Sequence, residues 1–404
     1  MSVSVLHVTD AFWPEHGGVE RVIAHLAAAQ AAAGWHVTVL TKSTDGAGPI
    51  GALPGPVRIL RYQQAKRPTP WVYFTTWRSS RRWSRIAAQT QPPDLVHAHL
   101  TLSAQGPLDF FQNRVPFVAT FYGPWHAEFA VEAAALQKQK SPLYRAYLHA
   151  QIALQRRLQQ RLLNRAHRVA VLSEFSRSWI ERLAPHRAPG ATLVPGGVDP
   201  DRFFPQSPPK ALRKKHGLPD NAFVVLTLRR LVERMGIDLL LEATAQASKQ
   251  HPRLHLLIAG SGPAREKLER QANELGIADR IRFLGYVPDD EVPDLYRLAD
   301  LFIVPTRAEE NFGLIVLEAA ACGTPVAATP AGSLPELMRA VDDRYLAADV
   351  SAQALTDVLL RAVDEGAKAK KHFTEKVALC VREQFTWQVM ADRYRALYGE
   401  LGVG

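Results

Sequence analysis

The chain has 404 residues, of which 47% are hydrophobic and 22% are charged, so it is long enough for two or three domains with substantial cores. No apolar run reaches the roughly 18 residues that a membrane-spanning helix needs. The sequence contains two cysteines, Cys322 and Cys380, far apart along the chain, which disfavours a disulfide framework or a cysteine zinc site. The composition therefore indicates a globular protein of a reducing compartment.

The positive charge is unevenly distributed along the chain. Residues 1–196 contain 22 Lys and Arg against 10 Asp and Glu, a formal charge of +12, whereas the remaining residues carry 27 against 29, or −2. Such a basic half can steer an anionic partner or attach to an acidic membrane surface, and an ordinary solubilising surface is the alternative. Because no basic segment precedes the first apolar run, we expect no secretory signal and a cytoplasmic location, with peripheral contact to the inner face of the membrane as a further expectation.

The first half begins with a β–loop–α–β unit. A predicted strand at 3–8 is followed by the turn-rich segment TDAFWPEHGGVE, a helix at 19–33 and a strand at 36–41. Gly17 and Gly18 lie between the first strand and its helix, where a backbone without Cβ atoms can approach a phosphate or a sugar closely. The pair is also common in ordinary turns, and it lacks the spacing of the G-x-G-x-x-G dinucleotide fingerprint.

Further strands alternate with helical patterns through the rest of this half. They are predicted at 57–60, 94–99, 115–120, 167–173 and 191–195. This alternation favours one doubly wound α/β domain over residues 1–196. The helix predicted at 141–164, with Leu and Arg residues, either packs one face on its own domain or lies on a membrane interface.

The Pro- and Gly-rich segment PGGVDPDRFFPQSPP, at 195–209, marks the domain boundary. A second alternation follows, with strands predicted at 222–228, 253–260, 280–285, 301–304 and 324–329. We therefore expect a second doubly wound domain over 197–384. The last segment, 385–404, is predicted to form an amphipathic helix that packs back on the first domain. Two such domains facing one another would form a ligand cleft between them.

The stretch LFIVPTRAEENFGLIVLEAAACG is the most informative part of the second half. It reads as a buried strand, a polar loop and an apolar helix that begins at Phe312 and that Gly323 can close. Glu310 falls in the loop and Glu318 on the helix. The carboxyl edge of an open α/β sheet is where such folds bind ligands, and the backbone N–H groups of Phe312, Gly313 and Leu314 would face it. Two carboxylates beside an anion-binding helix end predict a ligand with both hydroxyls and phosphates, as in a nucleotide sugar.

The run LTLRRLVERMGIDLLLEA places three arginines, Arg229, Arg230 and Arg234, at another strand-to-helix junction of the same domain. Guanidinium groups at such an edge can grip a diphosphate through paired hydrogen bonds. Surface arginines on a loop are the alternative interpretation, but the position beside the two glutamates favours a diphosphate site.

These segments, in this order, resemble the retaining glycosyltransferases of glycosyltransferase family 4. The resemblance is carried by LRRLVERMGIDLLLEA, IAGSGPAREKLE, RIRFLGYVPDDEVPDLYRLADLFIVPT and the glutamate pair, and in the first half by WPEHGGVERVIAHLAAAQAAAGWHVTVLT, VHAH and LVPGGVDPDRF. It covers nearly the whole chain. It implies an α/β protein of the GT-B type, in which two Rossmann-like, doubly wound domains face a central cleft.

The resemblance also implies roles for individual residues. Glu310 matches the first glutamate of the family's E-x7-E motif, expected to accept hydrogen bonds from hydroxyls of the donor sugar, and Glu318 matches the second, expected to hold the ribose. Arg230 matches the arginine of the family's G-R-L segment, which contacts the diphosphate. Where the family usually has lysine this chain has Met235, and Arg234 is the expected replacement.

Two backbone segments are assigned to the donor by the same resemblance. Gly285, Tyr286 and Val287 fall where the family holds the base, largely through main-chain atoms. Gly17 and Gly18 match the N-terminal glycine loop near the donor phosphate.

One departure from the family pattern concerns the strand before the acceptor site. The family commonly ends it with T-F-H, whereas this chain has T-F-Y, ending at Tyr122, whose hydroxyl does not titrate near neutral pH. His126, expected in the following loop, is either a functional replacement or a surface histidine. His97 and His99 are expected to be structural or acceptor-cleft residues rather than metal ligands, because no convergent carboxylates accompany them.

The activity implied is transfer of a hexose-type sugar from a UDP- or GDP-sugar to a hydroxyl acceptor, with retention and without a metal or other cofactor. The acceptor is expected to be anionic or lipid-linked, and nucleic acid is not expected as a partner. Three alternatives remain open: a nucleotide-sugar epimerase of similar fold, a nicotinamide-dependent oxidoreductase (disfavoured by the missing dinucleotide fingerprint), and a non-catalytic basic binding protein.

Overall fold

Two compact units make up the chain. A computed structural model describes residues 2–12, 17–43, 57–65, 70–137, 141–209 and 211–403. The first unit comprises Met1–Gly196 with Trp387–Gly404, and the second comprises Gly197–Thr386. The chain thus leaves the first unit once and returns to it with its last helix.

The first unit is built on a parallel sheet. Its strands within the described ranges are β1 (Ser4–Val8), β2 (His36–Lys42), β3 (Val57–Tyr62), β4 (Leu95–Ala98), β5 (Phe117–Phe121), β6 (Arg168–Val171) and β7 (Ala191–Leu193). Their order is β3-β2-β1-β4-β5-β6-β7. The chain moves outward from β1 to β3, returns to place β4 beside β1, and continues outward on the other side. The winding direction therefore reverses between β1 and β4, where His7 pairs in register with His97.

Helices separate these strands. Those of the first part of the chain are α1 (Gly18–Ala32), α2 (Pro70–Thr90), α3 (Thr101–Phe111), α4 (Trp125–Gln137), α5 (Pro142–Arg165) and α6 (Glu174–Leu183), followed by a 3-10 turn at Pro185–Gly190. Apolar side chains of the strands, such as Leu6, Val96 and Phe117, are buried against these helices. Because helices cover the sheet, β1, β4 and β5 are buried throughout, whereas the edge strand β3 has exposed and partly exposed residues among its buried ones.

The second unit repeats the design on a smaller scale. Its strands are β8 (Phe223–Leu228), β9 (Leu254–Ala259), β10 (Ile281–Gly285), β11 (Leu301–Val304) and β12 (Val326–Ala328). All described pairs are parallel, in the order β10-β9-β8-β11-β12. The winding direction here reverses between β8 and β11. Loops that follow these two strands therefore meet at one edge of the sheet.

The remaining helices complete both units. They are α7 (Ala211–Lys215), α8 (Ile237–Gln250), α9 (Arg265–Glu274), α10 (Val292–Leu298), α11 (Leu314–Ala321), α12 (Leu334–Val341), α13 (Ala352–Glu365), α14 (Ala367–His372), α15 (Ala378–Gln384) and α16 (Trp387–Gly399), with 3-10 turns at Glu233–Met235 and Ala278–Arg280. A π-helical segment, Phe373–Val377, joins α14 to α15. No helix in the described ranges combines the length and the apolarity required to span a bilayer.

The last helix, α16, packs on the first unit. Its Tyr394 and Tyr398 are completely or almost completely buried. The Tyr394 hydroxyl lies 2.8 Å from Thr120 Oγ1, and Trp387 stacks on His25 with ring centroids 4.5 Å apart. The last helix thus contacts both α1 and β5 of the first unit.

Helix α11 differs from the helix predicted at its position. It begins at Leu314 rather than at Phe312, because Gly313 has a left-handed backbone with φ of 89° and ends the preceding loop. Its carboxyl end follows the prediction: Gly323 has φ of 76°, and Gly323 N–H and Thr324 N–H donate to the carbonyls of Ala320 and Ala319. This is the Schellman pattern that a glycine at that position permits.

Gly236, which precedes α8, is held in a left-handed conformation with φ of 67°. A Cβ atom there would collide with the carbonyl oxygen of Pro305. Gly276 has nearly the same φ, 69°, but open space where its Cβ would be. Comparing substitutions at these two glycines therefore distinguishes the cost of a left-handed backbone from the cost of a steric collision.

We expect Gly276→Ala to destabilise the protein by about 1 kcal/mol, the usual cost of a left-handed alanine. Gly236→Ala carries the same strain and the collision, so we expect it to cost at least about 2 kcal/mol more. Urea unfolding of both variants measures the difference. Equal destabilisation by the two substitutions would contradict the close contact between Gly236 and Pro305.

Candidate functional site

A buried ion pair lies where the winding of the second sheet reverses. Arg229 directly follows β8, and Glu310 lies in the loop after β11. Arg229 Nη2 donates to Glu310 Oε2 at 2.5 Å, and the two side chains are 6% and 16% exposed. Residues that are 81 positions apart in the sequence meet here because their strands are neighbours in the sheet.

Thr306 completes this contact. Arg229 Nη1 donates to Thr306 Oγ1, and Thr306 Oγ1 in turn donates to Glu310 Oε2 at 3.4 Å. One oxygen of the Glu310 carboxylate is therefore held by two donors, whereas its Oε1 has no hydrogen-bond partner among the described residues. The carboxylate is oriented with one oxygen left to accept hydrogen bonds from a ligand.

Arg234 ties the two loops together. Its Nη1 donates to the carbonyl oxygen of Glu309 at 3.1 Å, and Arg307 N–H donates to the carbonyl of Arg234 at 2.8 Å. Glu309 has φ of 59°, a left-handed backbone that is uncommon outside glycine. These bonds hold the loop in a strained shape next to Glu310.

Arg230 has a different environment from its two neighbours. Its side chain is exposed, and within the described part of the chain it forms no ion pair. Met235, which occupies the family's lysine position, is only 6% exposed and is part of the core. Of the arginines in this loop, Arg229 is committed to Glu310, whereas Arg230 and Arg234, the latter bonded to a backbone carbonyl, form no ion pair within the described residues. The sequence pattern grouped Arg229 with the two other arginines as a candidate for the diphosphate and did not predict its pairing with Glu310, because a pairing across the sheet has no local signature.

Glu318 lies on α11 and is 5% exposed. Tyr296, on α10, is completely buried and donates its hydroxyl proton to Glu318 Oε2 at 2.9 Å. A buried carboxylate requires such a partner. The contact of Tyr296 with Glu318 was not predicted from the sequence. The available signal for it is a tyrosine within the otherwise buried helix α10.

The remaining residues predicted in this unit lie along the same edge of the sheet. Gly285, at the end of β10, has φ of 70°, and its carbonyl accepts a hydrogen bond of 2.7 Å from Gly260 N–H. Tyr286 is 71% exposed, and Val287 is partly exposed. Phe312 is buried, at 7% exposure, and Leu314 opens α11 with N–H groups that a helix cannot pair internally. Residues predicted for one ligand thus follow β8, β10 and β11 at one edge of the sheet.

The first unit has a buried histidine cluster at its own reversal point. His7 on β1, His97 on β4 and His99 after β4 are 0 to 2% exposed. His7 Nδ1 and His99 Nε2 are 2.9 Å apart, and His99 Nδ1 lies 2.9 Å from the hydroxyl of Tyr122. Tyr122, just after β5, is partly exposed. Tyr122, a predicted site residue, is therefore hydrogen-bonded to the histidine cluster.

Burial keeps these three imidazoles neutral. It lowers the pKa of His7 to about 4, against a weaker opposing effect of its hydrogen bond to Gln30. It also holds the pKa of His97 well below the ordinary value, with a further decrease from His7. The pKa of His99 is likewise well below that value, mainly through burial and then through the neighbouring imidazoles.

Three histidines whose nitrogens lie within 4.8 Å of one another have the spacing of a metal site. Both ring nitrogens of each histidine, however, have a hydrogen-bond partner, and the partners outside the cluster are Gln30, Thr120, Tyr122 and Tyr398. A metal ion could bind only by replacing these bonds. The cluster is a hydrogen-bond network, in line with the structural role expected for His97 and His99.

His126 was expected in a loop, but it lies in the first turn of α4. Its Nδ1 is 3.0 Å from Gln159 Oε1, and its ring meets that of Trp179 edge-on with centroids 6.2 Å apart. The helix begins at Trp125, directly after Pro124, so His126 is its second residue. The expectation of a loop histidine was wrong, and the side chain packs between α5 and α6.

The glycine pair lies at the start of α1. Gly18 is the first helical residue, and Gly17 is its N-cap in an extended conformation. The Glu20 carboxylate occupies the space that a Cβ at Gly17 would need, so a larger residue there would require the Glu20 side chain to move. The preceding loop residues 13–16 fall outside the described part of the chain, and the phosphate contact predicted for the pair stays a prediction.

Comparison with known proteins identifies the family. The model for "Glycosyltransferase Family 4" matches residues 16–202, and that for "Glycosyl transferases group 1" matches residues 209–378. A D-inositol 3-phosphate glycosyltransferase of Saccharomonospora viridis is 30% identical over 418 residues, covering 95% of this chain and 89% of that protein. The chain belongs to glycosyltransferase family 4.

Other relatives match over shorter stretches. A GDP-mannose-dependent alpha-(1-6)-phosphatidylinositol monomannoside mannosyltransferase of Mycolicibacterium smegmatis is 39% identical over 186 residues, which cover 44% of this chain and 48% of that protein. The protein of the same name from Mycobacterium tuberculosis is 35% identical over 56% of this chain and 60% of its own length. The chain thus matches only about half of these mannosyltransferases.

Solved structures confirm the fold class. Sucrose-phosphate synthase from Thermosynechococcus elongatus superposes with a TM-score of 0.81 at 24% identity, covering 99% of both chains. Anabaena HepE in complex with UDP and glucose gives a TM-score of 0.76 at 19% identity, over 98% of this chain and 100% of the other. Two Rossmann-like parallel-sheet units with these neighbours define the GT-B fold.

We expect Arg229→Met to destabilise the protein by on the order of 3 kcal/mol, because it leaves the Glu310 carboxylate buried without its partner. The double variant Arg229→Met/Glu310→Met should recover most of that loss. The control is Arg265→Met, which removes a half-exposed ion pair with Glu269 and should cost less than about 0.5 kcal/mol. Urea unfolding measures all three, and a loss at Arg229 no larger than at Arg265 would contradict the buried pair.

Proposed function

We propose that this protein transfers a hexose from a UDP- or GDP-sugar to a hydroxyl acceptor, with retention of configuration and without a metal ion. The observation that carries the proposal is the position of an oriented carboxylate, Glu310, and an exposed cation, Arg230, on the two loops at the reversal point of the second sheet. Open α/β sheets bind ligands at such points. Relatives named for GDP-mannose and for inositol acceptors support the reaction class.

The arginines of the loop after β8 would hold the diphosphate. Cleavage of the bond between sugar and diphosphate develops negative charge on the leaving group. Arg230 and Arg234, with the N–H groups at the start of α11 near Gly313, would stabilise that charge without reorganising. A metal ion would need converging carboxylates, and at this edge Glu310 is already paired with Arg229.

The two glutamates would recognise hydroxyl groups. Glu310 has Oε1 directed away from its pair with Arg229, so this oxygen can accept hydrogen bonds from the hexose. Glu318 would accept from the ribose, with Tyr296 holding its other oxygen. Gly285, Tyr286 and Val287 would hold the base through their main chain, and the exposed ring of Tyr286 adds an aromatic face on which a base can stack.

In this scheme the configuration is retained because the acceptor hydroxyl attacks the sugar on the same face from which the diphosphate leaves. The positively charged sugar formed as the bond breaks would lie beside the departing diphosphate, whose oxygen takes the proton of the acceptor hydroxyl. No protein nucleophile is required. An epimerase of the same fold would instead convert the donor sugar in the absence of any acceptor, which chromatography of the incubated donor distinguishes.

A first experiment identifies the donor. We expect the melting temperature to rise with either UDP or GDP, but not with ADP, because a ligand at 100 times its dissociation constant adds about 2.7 kcal/mol to the stability of the folded state. Stabilisation by none of the three nucleotides would overturn the donor site.

Transfer is then measured with the corresponding hexose donor, using D-inositol 3-phosphate and phosphatidylinositol vesicles as acceptor probes. We expect Glu310→Ala and Arg230→Met each to reduce the transfer rate by roughly 10²- to 10³-fold, as the loss of one charge-stabilising group does elsewhere. Lys249→Met, exposed at the far end of α8, is the control and should behave like the wild type. Near-normal transfer by Glu310→Ala or Arg230→Met would refute the assignment of these residues.

We further infer that the acceptor is presented at an acidic membrane surface. Helix α2 carries Trp71, 64% exposed, and Phe74, 45% exposed, at helical spacing from an exposed row of arginines. The row comprises Arg78, Arg81, Arg82 and Arg85. The first turn of α5 exposes Leu143 to 84%, and Gln155 of α5 bonds to Tyr73 of α2 at 3.3 Å. Aromatic residues beside arginines suit the interface of an anionic bilayer.

Flotation with vesicles of phosphatidylcholine, with and without phosphatidylglycerol, tests this surface. We expect binding that requires phosphatidylglycerol and weakens steeply with salt. Trp71→Ala/Phe74→Ala should weaken it about thirtyfold, since each side chain contributes on the order of 1 kcal/mol of apolar burial. The control is Leu379→Ala, a residue 54% exposed in the other unit. Binding that does not depend on lipid charge or on Trp71 and Phe74 would contradict the inference.

A further inference from the structure

A buried chain of hydrogen bonds links Tyr122 to Gln30 through two histidines. The Tyr122 hydroxyl meets His99 Nδ1, and His99 Nε2 meets His7 Nδ1, both at 2.9 Å. His7 Nε2 then lies 2.7 Å from the side-chain carbonyl oxygen of Gln30. Because His7, His99 and Gln30 are buried, their polar atoms depend on these contacts.

The chain continues on the other side of Gln30. Its amide Nε2 donates to the hydroxyl of Tyr398 at 3.4 Å, and that hydroxyl lies 2.7 Å from His97 Nδ1. His97 Nε2 is 2.7 Å from Thr120 Oγ1, which is 2.8 Å from the Tyr394 hydroxyl. Gln30 is therefore the central member of one continuous network.

Gln30 determines the direction of these bonds. A side-chain carbonyl oxygen only accepts, so His7 must carry its proton on Nε2. A neutral imidazole has one N–H group, so His7 Nδ1 accepts and His99 Nε2 donates to it. By the same rule His99 Nδ1 is bare and accepts the hydroxyl proton of Tyr122.

The second branch follows the same direction. Tyr398 accepts from the Gln30 amide, so its own proton is directed to His97 Nδ1. The opposite arrangement would leave the buried Tyr398 hydroxyl without an acceptor, which folded proteins avoid. His97 therefore also carries its proton on Nε2 and donates it to Thr120.

We propose that Tyr122 presents only the lone pairs of its oxygen to a bound molecule, and that Gln30 is the positioning residue that fixes this polarity through His7 and His99. The proton of Tyr122 is already donated to His99. A ligand group that contacts this oxygen must then be a hydrogen-bond donor. Resting on the proposed function, we assign that group as a hydroxyl of the substrate.

The polarity is stable around neutral pH because the imidazoles in the chain stay uncharged. An imidazolium would have two N–H groups and would reverse one of the bonds. Burial, which lowers the pKa of His7 to about 4, prevents this. Burial also raises the pKa of Tyr122 well above 10, so the proton that it donates to His99 is retained. A histidine at position 122, as in the family pattern, could donate or accept according to its tautomer, whereas Tyr122 is committed.

The experiment is a long-range ¹H–¹⁵N correlation spectrum of the full-length protein, labelled with ¹⁵N-histidine, at neutral pH. The spectrum shows which ring nitrogen of each imidazole carries hydrogen. Signals are assigned by replacing one histidine at a time with glutamine. We expect the Nε2–H tautomer for His7, His97 and His99, and a bare, hydrogen-bonded Nδ1 for His99. The Nδ1–H form of His99 would overturn the proposal, because Tyr122 would then be free to donate.

Two variants test the role of Gln30. In Gln30→Glu both side-chain oxygens accept, so His7 and His99 should keep the Nε2–H form. In the other branch Tyr398 should donate its proton to the new carboxylate, and His97 should change to the Nδ1–H form. In Gln30→Met the direction is no longer set, and His99 should become a mixture of tautomers. An unchanged His99 in Gln30→Met, with a native backbone amide spectrum, would show that Gln30 does not set the polarity.

If Gln30→Met fails to fold, the wild-type protein and Gln30→Glu still decide the question. The measurement uses no substrate, so a wrong tautomer would overturn the polarity of Tyr122 and leave the transfer reaction standing. Loss of transfer in the assays above, with the expected tautomers, would instead refute the function and leave the network intact.

Discussion

The reversal of winding direction within each sheet is the constraint on which both candidate sites depend. Where a chain first winds outward and then returns, the segments after two adjacent strands lie side by side at their carboxyl ends, the edge at which open α/β sheets bind ligands. In the second sheet those strands are β8 and β11, and their loops supply Arg229 and Glu310. In the first sheet they are β1 and β4, and they supply His7 and His97.

The ion pair between Arg229 and Glu310 fixes the carboxylate at the reversal point of the second sheet. A carboxylate that is only 16% exposed requires such a partner. The pair holds Glu310 in one orientation, and the bonds from Arg234 to the neighbouring loop keep that loop in place. Arg230 and the free oxygen of Glu310 are thereby left to a ligand.

The first sheet uses neutral groups at the corresponding place. Its three histidines are buried and uncharged, and they are joined to tyrosines and amides instead of to acids. In the proposed function the neutral network would contact a hydroxyl group, and the arginine loop of the second sheet would hold the anionic diphosphate. The difference fits a substrate pair in which one member carries a diphosphate and the other offers a hydroxyl.

Much of the fold could be predicted from local patterns. Continuous apolar runs such as FVVLTL and LFIV are typical of strands buried on both faces, and the glycine after α11 ended that helix as expected. The GT-B class was correct because ordered motifs cover most of the chain. The predicted start of α11 and the predicted loop position of His126 were wrong by a turn or less, since helix boundaries at glycine and proline depend on the exact backbone conformation.

The site was predicted less completely, for a physical reason. The sequence by itself determined that Glu310, Glu318 and three arginines follow strands of one parallel sheet, because hydrophobic periodicity and turn residues are local signals. Only the tertiary structure decided which arginine pairs with Glu310, that Tyr296 supports Glu318, and that Gln30 is joined to Tyr122. Those choices depend on contacts between residues far apart in the sequence, and neither composition nor spacing contains the side-chain directions that select one partner among several.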